Sequence, residues 1–183
     1  GSIGRVVRNC EIRILREDRS VAAPGEVGEL AVRGPAVMRG YFNRPEETAR
    51  VFLDGWLLTG DLASVDADGF VFFHDRSKDM IKTGGLNVYS QEVEQVVAAH
   101  PAVREVAVIG LPDETWGEAV SAVVTLHDGA TLDAEELIAY ARERLGGYQT
   151  PKRVIFVAYE ALPRNYLGKI LKRDLRQALC DAE

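Results

Sequence analysis

Cysteine is nearly absent from this chain: Cys10 and Cys180 are the only two among 183 residues. Two cysteines near opposite ends exclude a disulfide framework and point to a reducing, cytoplasmic setting. Histidine is as sparse, and His74, His100 and His127 stand singly, without the spacing of a metal site. No run approaches 18 apolar residues, and the opening residues lack a basic-then-apolar pattern, so no transmembrane segment is expected. Basic residues are in the minority, 22 against 28 acidic ones, for a net charge of -6. That balance excludes binding of nucleic acid or an anionic membrane through bulk charge. An anionic ligand must instead be held by a local basic group.

What remains is an ordinary globular composition, 46% hydrophobic and 27% charged. The length suffices for one medium domain or two small ones. Up to about residue 75 the pattern is strand and turn. CEIRILRE (10–17) alternates, GELAVR lies between glycine turns, and GWLLTGDLASVDADGFVFFHDR reads as a hairpin turning at Asp66–Gly69. A short helix is expected from Pro45, with Glu46 and Glu47 at the positive end of its dipole. After residue 78 strands alternate with helices. Ser90 is placed to cap a helix over 91–100, Asp133 with Glu136 forms a capping box opening a helix to about 145, and ILKRDLRQALC is a last helix. These patterns predict an α+β fold: a β-rich part over 1–75, a junction at 76–78 and a small α+β domain over 79–183.

Four stretches carry groups suited to chemistry. In WLLTGD, Asp61 follows a Thr-Gly turn at a strand end, where a carboxylate accepts two hydrogen bonds from a vicinal diol such as a ribose. The plain alternative is an aspartate that closes a turn. Arg76 offers bidentate contacts to a diol or phosphate and Lys78 lies at the junction, although such charges are usually a solvated linker. Gly84-Gly85 permits positive φ or close backbone approach to a ligand; alternatively it is a plain hairpin turn. Lys169, after Gly168 and before the last helix, presents a point charge to a phosphate or carboxylate, and Arg164, Lys172 and Arg173 are expected to reinforce a positive field around it. Trp116, Tyr140 and Tyr159 have the spacing of core or rim aromatics.

Taken in order, these stretches resemble the C-terminal portion of adenylate-forming enzymes of the acyl-CoA synthetase type, and the resemblance covers essentially the whole chain. GELAVRGPAVMRGYFNRPEET (28–48), WLLTGD, DRSKDMIKTGGLNVYSQEVE (75–94) and PRNYLGKILKR each resemble a family motif, at family-like spacing. IKTGGLNVYSQEVE is closer to acyl-CoA ligases than to peptide-synthetase adenylation domains. Tyr166 departs from the family, which commonly has small residues or Thr at this place.

The resemblance implies a two-step reaction. A carboxylic acid, here a fatty acid, is activated with ATP to acyl-AMP, releasing pyrophosphate, and a small C-terminal domain then rotates so that the acyl group passes to CoA. By match, Asp61 and Arg76 would hold the ribose hydroxyls of AMP and Lys78 would be the hinge. Lys169 would stabilise charge between the carboxylate and the α-phosphate in the first step. Lys82 and the Gly84-Gly85 loop would face the site in the second, where bare backbone admits the pantetheine arm. ATP/AMP, CoA and Mg2+ are the implied cofactors, the metal held mainly by residues outside this sequence. The family's Ser/Thr/Gly-rich phosphate loop and large N-terminal domain are not in these residues. The chain is therefore expected to be a fragment, inactive alone, that partners the N-terminal domain and exposes apolar surface on 1–75 prone to self-association. Two alternatives stand beside this. One is a non-catalytic module binding nucleotide, CoA or a partner. The other is a ligase loading a carrier protein, for which CoA contacts such as Lys152 and Arg153 would not be needed.

Overall fold

The computed structural model describes residues 1–181, which divide into two compact units, Gly1–Lys78 and Asp79 onward. In the first unit the strands are β1 (Gly4–Arg5), β2 (Glu11–Leu15) and β3 (Gly28–Arg33), then helix α1 (Pro45–Val51), β4 (Phe52–Leu53), β5 (Trp56–Val65) and β6 (Phe70–Arg76). They form one antiparallel sheet in the order β1-β6-β5-β3-β2, with β4 also on β5. Pro45 opens α1, where its missing N–H costs no hydrogen bond. The β5–β6 turn is closed by the Asp66 carboxylate, which accepts from the N–H groups of Asp68 and Phe70. Ile14, Ala63 and Val71 bury one face of this sheet, and Leu15, Ala31 and Trp56 another cluster. Large apolar side chains of this unit remain exposed: Phe42 at 92%, Val7 at 68% and Ile3 at 66%.

The second unit contains β7 (Ile81–Thr83), β8 (Leu86–Val88), α2 (Ser90–Ala98), β9 (Val103–Asp113), β10 (Gly117–Leu126), α3 (Ala134–Arg142), β11 (Arg153–Phe156), a 3-10 turn at Tyr159–Ala161 and α4 (Lys172–Cys180). β10 is the central strand, antiparallel to β9 along its length and parallel to β11. Its near-continuous apolar run follows from burial on both faces. Val120, Ala122 and Val124 pack with Val93 and Val97 of α2 and Leu137 and Ala141 of α3. The alternate residue Val123 packs with Leu162 and with Leu175 of α4. Helices thus cover both sides of one mixed sheet, an α+β arrangement.

Two helix starts differ in how they are held. Asp133 caps α3, accepting from the Glu136 N–H at 2.8 Å, and the helix ends at Arg142, one turn short of 145. Ser90 does not cap α2: the helix begins at Ser90 itself, behind Tyr89. The physical reason is its setting, since Ser90 is fully buried and its hydroxyl receives the Lys172 ammonium at 2.6 Å.

Candidate functional site

The Thr59-Gly60-Asp61 stretch does not lie at a strand end. β5 runs through it, and the three residues are taken up as a bulge: Leu58 pairs with Ala31 and Leu62 with Glu29, leaving Leu30 opposite all three. Gly60 supplies the positive φ of +73° that this needs. The Thr59 hydroxyl donates to the Leu30 carbonyl at 2.8 Å and accepts from the Asp61 N–H at 3.1 Å. A second irregularity, between Leu62 and Ala63, separates the bulge from the rest of the β5–β6 ladder. Asp61 and Arg76 are direct partners across that ladder, with Arg76 Nε 3.3 Å from Asp61 Oδ1. Both keep solvent access, with side chains 30% and 49% exposed. The Ser77 N–H donates to the Gly60 carbonyl, and Lys78 follows, exposed in a turn at the end of this unit.

In the second unit, Lys82 and Gly84-Gly85 share one hairpin. β7 and β8 pair antiparallel across the two glycines, whose φ angles of +55° and +79° make the connection a left-handed two-residue turn. Lys82 is exposed on β7, and its backbone N–H donates to Glu118 Oε2 at 2.9 Å. The turn is seated on Trp116. The Gly84 N–H donates to the Trp116 carbonyl at 2.8 Å, and a Cβ on Gly84 would come within 3.1 Å of the indole.

Trp116, expected as a core or rim aromatic, lies at the rim. It is 42% exposed, and Lys152 Nζ lies 5.2 Å from its ring centroid, within cation–π range. The Trp-Gly pair was the available signal, because Gly117 takes a φ of +74° immediately after it. The turn carrying Trp116 is held by Asp113, whose Oδ1 accepts from the N–H groups of Thr115 at 2.9 Å and Trp116 at 3.1 Å. Those bonds, with Arg153 beside them, hold the Asp113 carboxyl below the usual carboxylate range against the opposing effect of desolvation. Arg153 is thereby occupied, with its guanidinium 3.5 Å from Asp113.

Lys169 lies exposed in a tightly closed loop ahead of α4. Arg164 and Ile170 form an isolated antiparallel bridge, and the Asn165 carboxamide oxygen accepts from the N–H groups of Leu167 and Lys169 at 3.0 and 2.9 Å. Tyr166 sits at the tip, 94% exposed, so its size disturbs nothing in the loop. The expected positive field around Lys169 is not there. Arg164 pairs with Glu105 at 2.5 Å, Lys172 with Glu94 at 2.7 Å and Arg173 with Asp174 at 3.1 Å. Each neighbouring cation has a carboxylate at ion-pair distance, which offsets its charge. Arg164 acts locally instead, donating to the Gly168 carbonyl at 3.0 Å, while the Glu105 hydrogen bond raises its pKa further.

The structure therefore brings Asp61 and Arg76 together in the first unit, and in the second gathers Lys82, Gly84 and Gly85 on one hairpin with Lys169 in a separate loop. Among the described residues no group of three or more His, Cys, Asp or Glu side chains could hold a metal ion. No helix among them is long and apolar enough to cross a membrane.

Comparison with known proteins assigns the family. Residues 1–42 match the AMP-binding enzyme family and residues 92–169 the AMP-binding enzyme C-terminal domain; the chain belongs to this family of adenylate-forming enzymes. It is 49% identical over 182 residues to the medium/long-chain-fatty-acid–CoA ligase FadD8 of Mycobacterium tuberculosis, an alignment covering 96% of this chain and 32% of that protein. ATP-bound MatB from Rhodopseudomonas palustris superimposes with a TM-score of 0.91 at 38% identity, over 100% of this chain and 36% of that one. The o-succinylbenzoate CoA synthetase MenE of Bacillus subtilis, in complex with its acyl-adenylate intermediate, gives 0.89 at 42% identity, over 96% and 35%. The chain thus spans about a third of the length of these relatives.

Proposed function

We propose that this chain is the carboxyl-terminal part of an acyl-CoA synthetase that activates a fatty acid as acyl-AMP and passes the acyl group to CoA. The observation that carries the reading is the Asp61–Arg76 pair. A carboxylate and a guanidinium side by side, both solvent-accessible, present an acceptor next to a donor, the complement of a vicinal diol such as the ribose of AMP. The relatives of known name support the chemistry: one is a fatty-acid–CoA ligase and another was captured with an acyl-adenylate.

On this reading Lys169 supplies its ammonium to the charge that grows between carboxylate and α-phosphate as the adenylate forms. The neutralised cations around it leave Lys169 as the local positive centre. Lys78, after which the chain divides into its two units, is the hinge. Rotation about it withdraws Lys169 and presents the Lys82 strand with the bare Gly84-Gly85 turn to the incoming thiol. The exposed indole of Trp116 beside Lys152 favours CoA over a carrier-protein acceptor, since a flat ring with an adjacent cation suits a nucleotide bearing phosphate. The described residues offer no cluster of three or more metal-ligating side chains, and no step is assigned to Mg2+ through them. The acyl pocket and the remaining nucleotide contacts belong to an amino-terminal region, whose docking accounts for the exposed Phe42, Val7 and Ile3; without it these side chains favour self-association. A cytoplasmic location is part of the same proposal, on the sparse cysteine content of the sequence.

The test is pyrophosphate release and thioester formation by the full-length protein, given ATP, Mg2+, CoA and a panel of fatty and aromatic acids. Turnover with fatty acids is expected. No pyrophosphate with any acid would contradict the reading.

A further inference from the structure

Helix α4 begins three residues after Lys169, and two of its cations reach toward the Gly84-Gly85 hairpin and the helix that follows it. We propose that Lys172 and Arg176 are positioning residues which lock the Lys169 loop and that hairpin into one rigid frame, so that neither group of catalytic contacts can shift relative to the other. The inference rests on the functional reading above.

Lys172 and Arg176 are four residues apart and so share one face of the helix. Lys172 reaches α2, the element that follows the hairpin. Its ammonium lies 2.7 Å from Glu94 Oε1 and donates to the buried Ser90 hydroxyl at 2.6 Å. Glu94 Oε1 in turn accepts from the Val108 N–H at 2.8 Å, tying the cluster to β9. The pair is well shielded, with side chains 17% and 21% exposed. Arg176 reaches β7, the first strand of the hairpin, through a single carboxylate: Glu118 Oε1 takes the guanidinium at 2.6 Å and Oε2 takes the Lys82 N–H at 2.9 Å. Gly110 makes the room for that carboxylate, since a Cβ there would meet Glu118 Cδ at 2.9 Å.

The apolar side of α4, through Leu175 and Leu179, already holds the helix to the sheet. To that packing the two ion-paired contacts add directional ties at fixed points along the helix. The worth of the Arg176–Glu118 pair, with its half-exposed guanidinium, is mainly positional, whereas the shielded Lys172–Glu94 pair bears on stability as well as on position. A displacement of about 1 Å in a catalytic group can cost on the order of 100-fold in rate. Loss of the brace should therefore appear in kcat, with substrate affinity nearly unchanged.

The test uses Lys172→Met, Lys172→Arg, Arg176→Gln and Lys169→Ala in the full-length protein, with each half-reaction followed separately. Lys172→Met is expected to lower the kcat of adenylation by about tenfold or more, from misplacement of Lys169, at unchanged KM for ATP, and Lys172→Arg to restore it. Arg176→Gln, half-exposed and tolerant of substitution, is expected to slow thioester formation from supplied acyl-adenylate about tenfold at unchanged KM for CoA. If Lys169→Ala stops adenylation while Lys172→Met and Arg176→Gln run at the unmodified rate, the brace is overturned. If Lys169→Ala leaves adenylation intact, it is the reading of Lys169 that fails. Amide exchange over 82–90 and 165–171 then decides the brace: faster exchange in Lys172→Met supports it, and unchanged exchange overturns it.

Discussion

Asp61 and Arg76 are paired across the β5–β6 ladder with their charged groups 3.3 Å apart, and the bulge at Thr59-Gly60-Asp61 sits directly beside that pair. A regular strand would have carried Asp61 past this point in simple alternation. The bulge re-aims the backbone locally, and the Thr59 hydroxyl fixes it there.

This pair separates binding from stability. As a partly exposed ion pair it contributes about 0–1 kcal/mol to folding, so Asp61→Ala should barely move the melting temperature. A hydrogen bond to a charged group, by contrast, is worth about 1.5–3 kcal/mol where it binds a ligand, or roughly 10- to 100-fold in affinity. Titration of AMP against full-length protein should show that loss in Asp61→Ala, with a smaller one in Arg76→Lys. Equal affinity in all three would remove the ribose assignment.

Gly84→Ala meets two obstacles at once. Its φ of +55° costs an L-residue about 1–2 kcal/mol, and its Cβ would press the Trp116 ring at 3.1 Å. The expected result is a less stable hairpin, seen as faster amide exchange over 81–88, together with slower thioester formation. Gly85→Ala carries the same backbone cost but meets no atom within 4 Å, so its effect should be the smaller of the two.

Asp113 makes the Trp116 turn sensitive to acid. The backbone N–H of Trp116, then that of Thr115, lower its carboxyl pKa in the folded chain. A carboxyl whose folded pKa is depressed adds stability that is present in full above its unfolded pKa and is lost as pH falls through the folded value. Fluorescence of Trp116, read in a Trp56→Phe background, should stay constant from neutral pH through the ordinary carboxylate range and change only below it. In Asp113→Asn that acid transition should vanish. A transition centred within the ordinary carboxylate range would contradict the assignment.

Much of this architecture could be read from residue patterns because the signals were local. The β5–β6 hairpin was marked by Asp66 and Gly69, the α3 start by Asp133, and the strands of the second unit by apolar runs. What escaped was set by partners distant in sequence. Ser90 looks like a helix cap until Lys172, 82 residues away, takes its hydroxyl. Arg164 and Lys172 look like a field around Lys169 until Glu105 and Glu94 neutralise them. Trp116 reads only as a rim aromatic, because the hairpin glycine that it supports is distant in sequence. The Thr-Gly-Asp bulge escaped for another reason: a turn-like triplet inside a strand gives the same local signal as a strand end.

The central claim is that Lys169 serves the first half-reaction and has left the site by the second. It is tested most directly by Lys169→Ala in the full-length protein, measuring pyrophosphate release and, separately, thioester formation from chemically supplied acyl-adenylate. The account predicts that adenylation falls by about 100- to 1,000-fold, the loss typical of one removed transition-state donor, while the thioester step keeps its rate. Unchanged adenylation, or an equal loss in both steps, would contradict it.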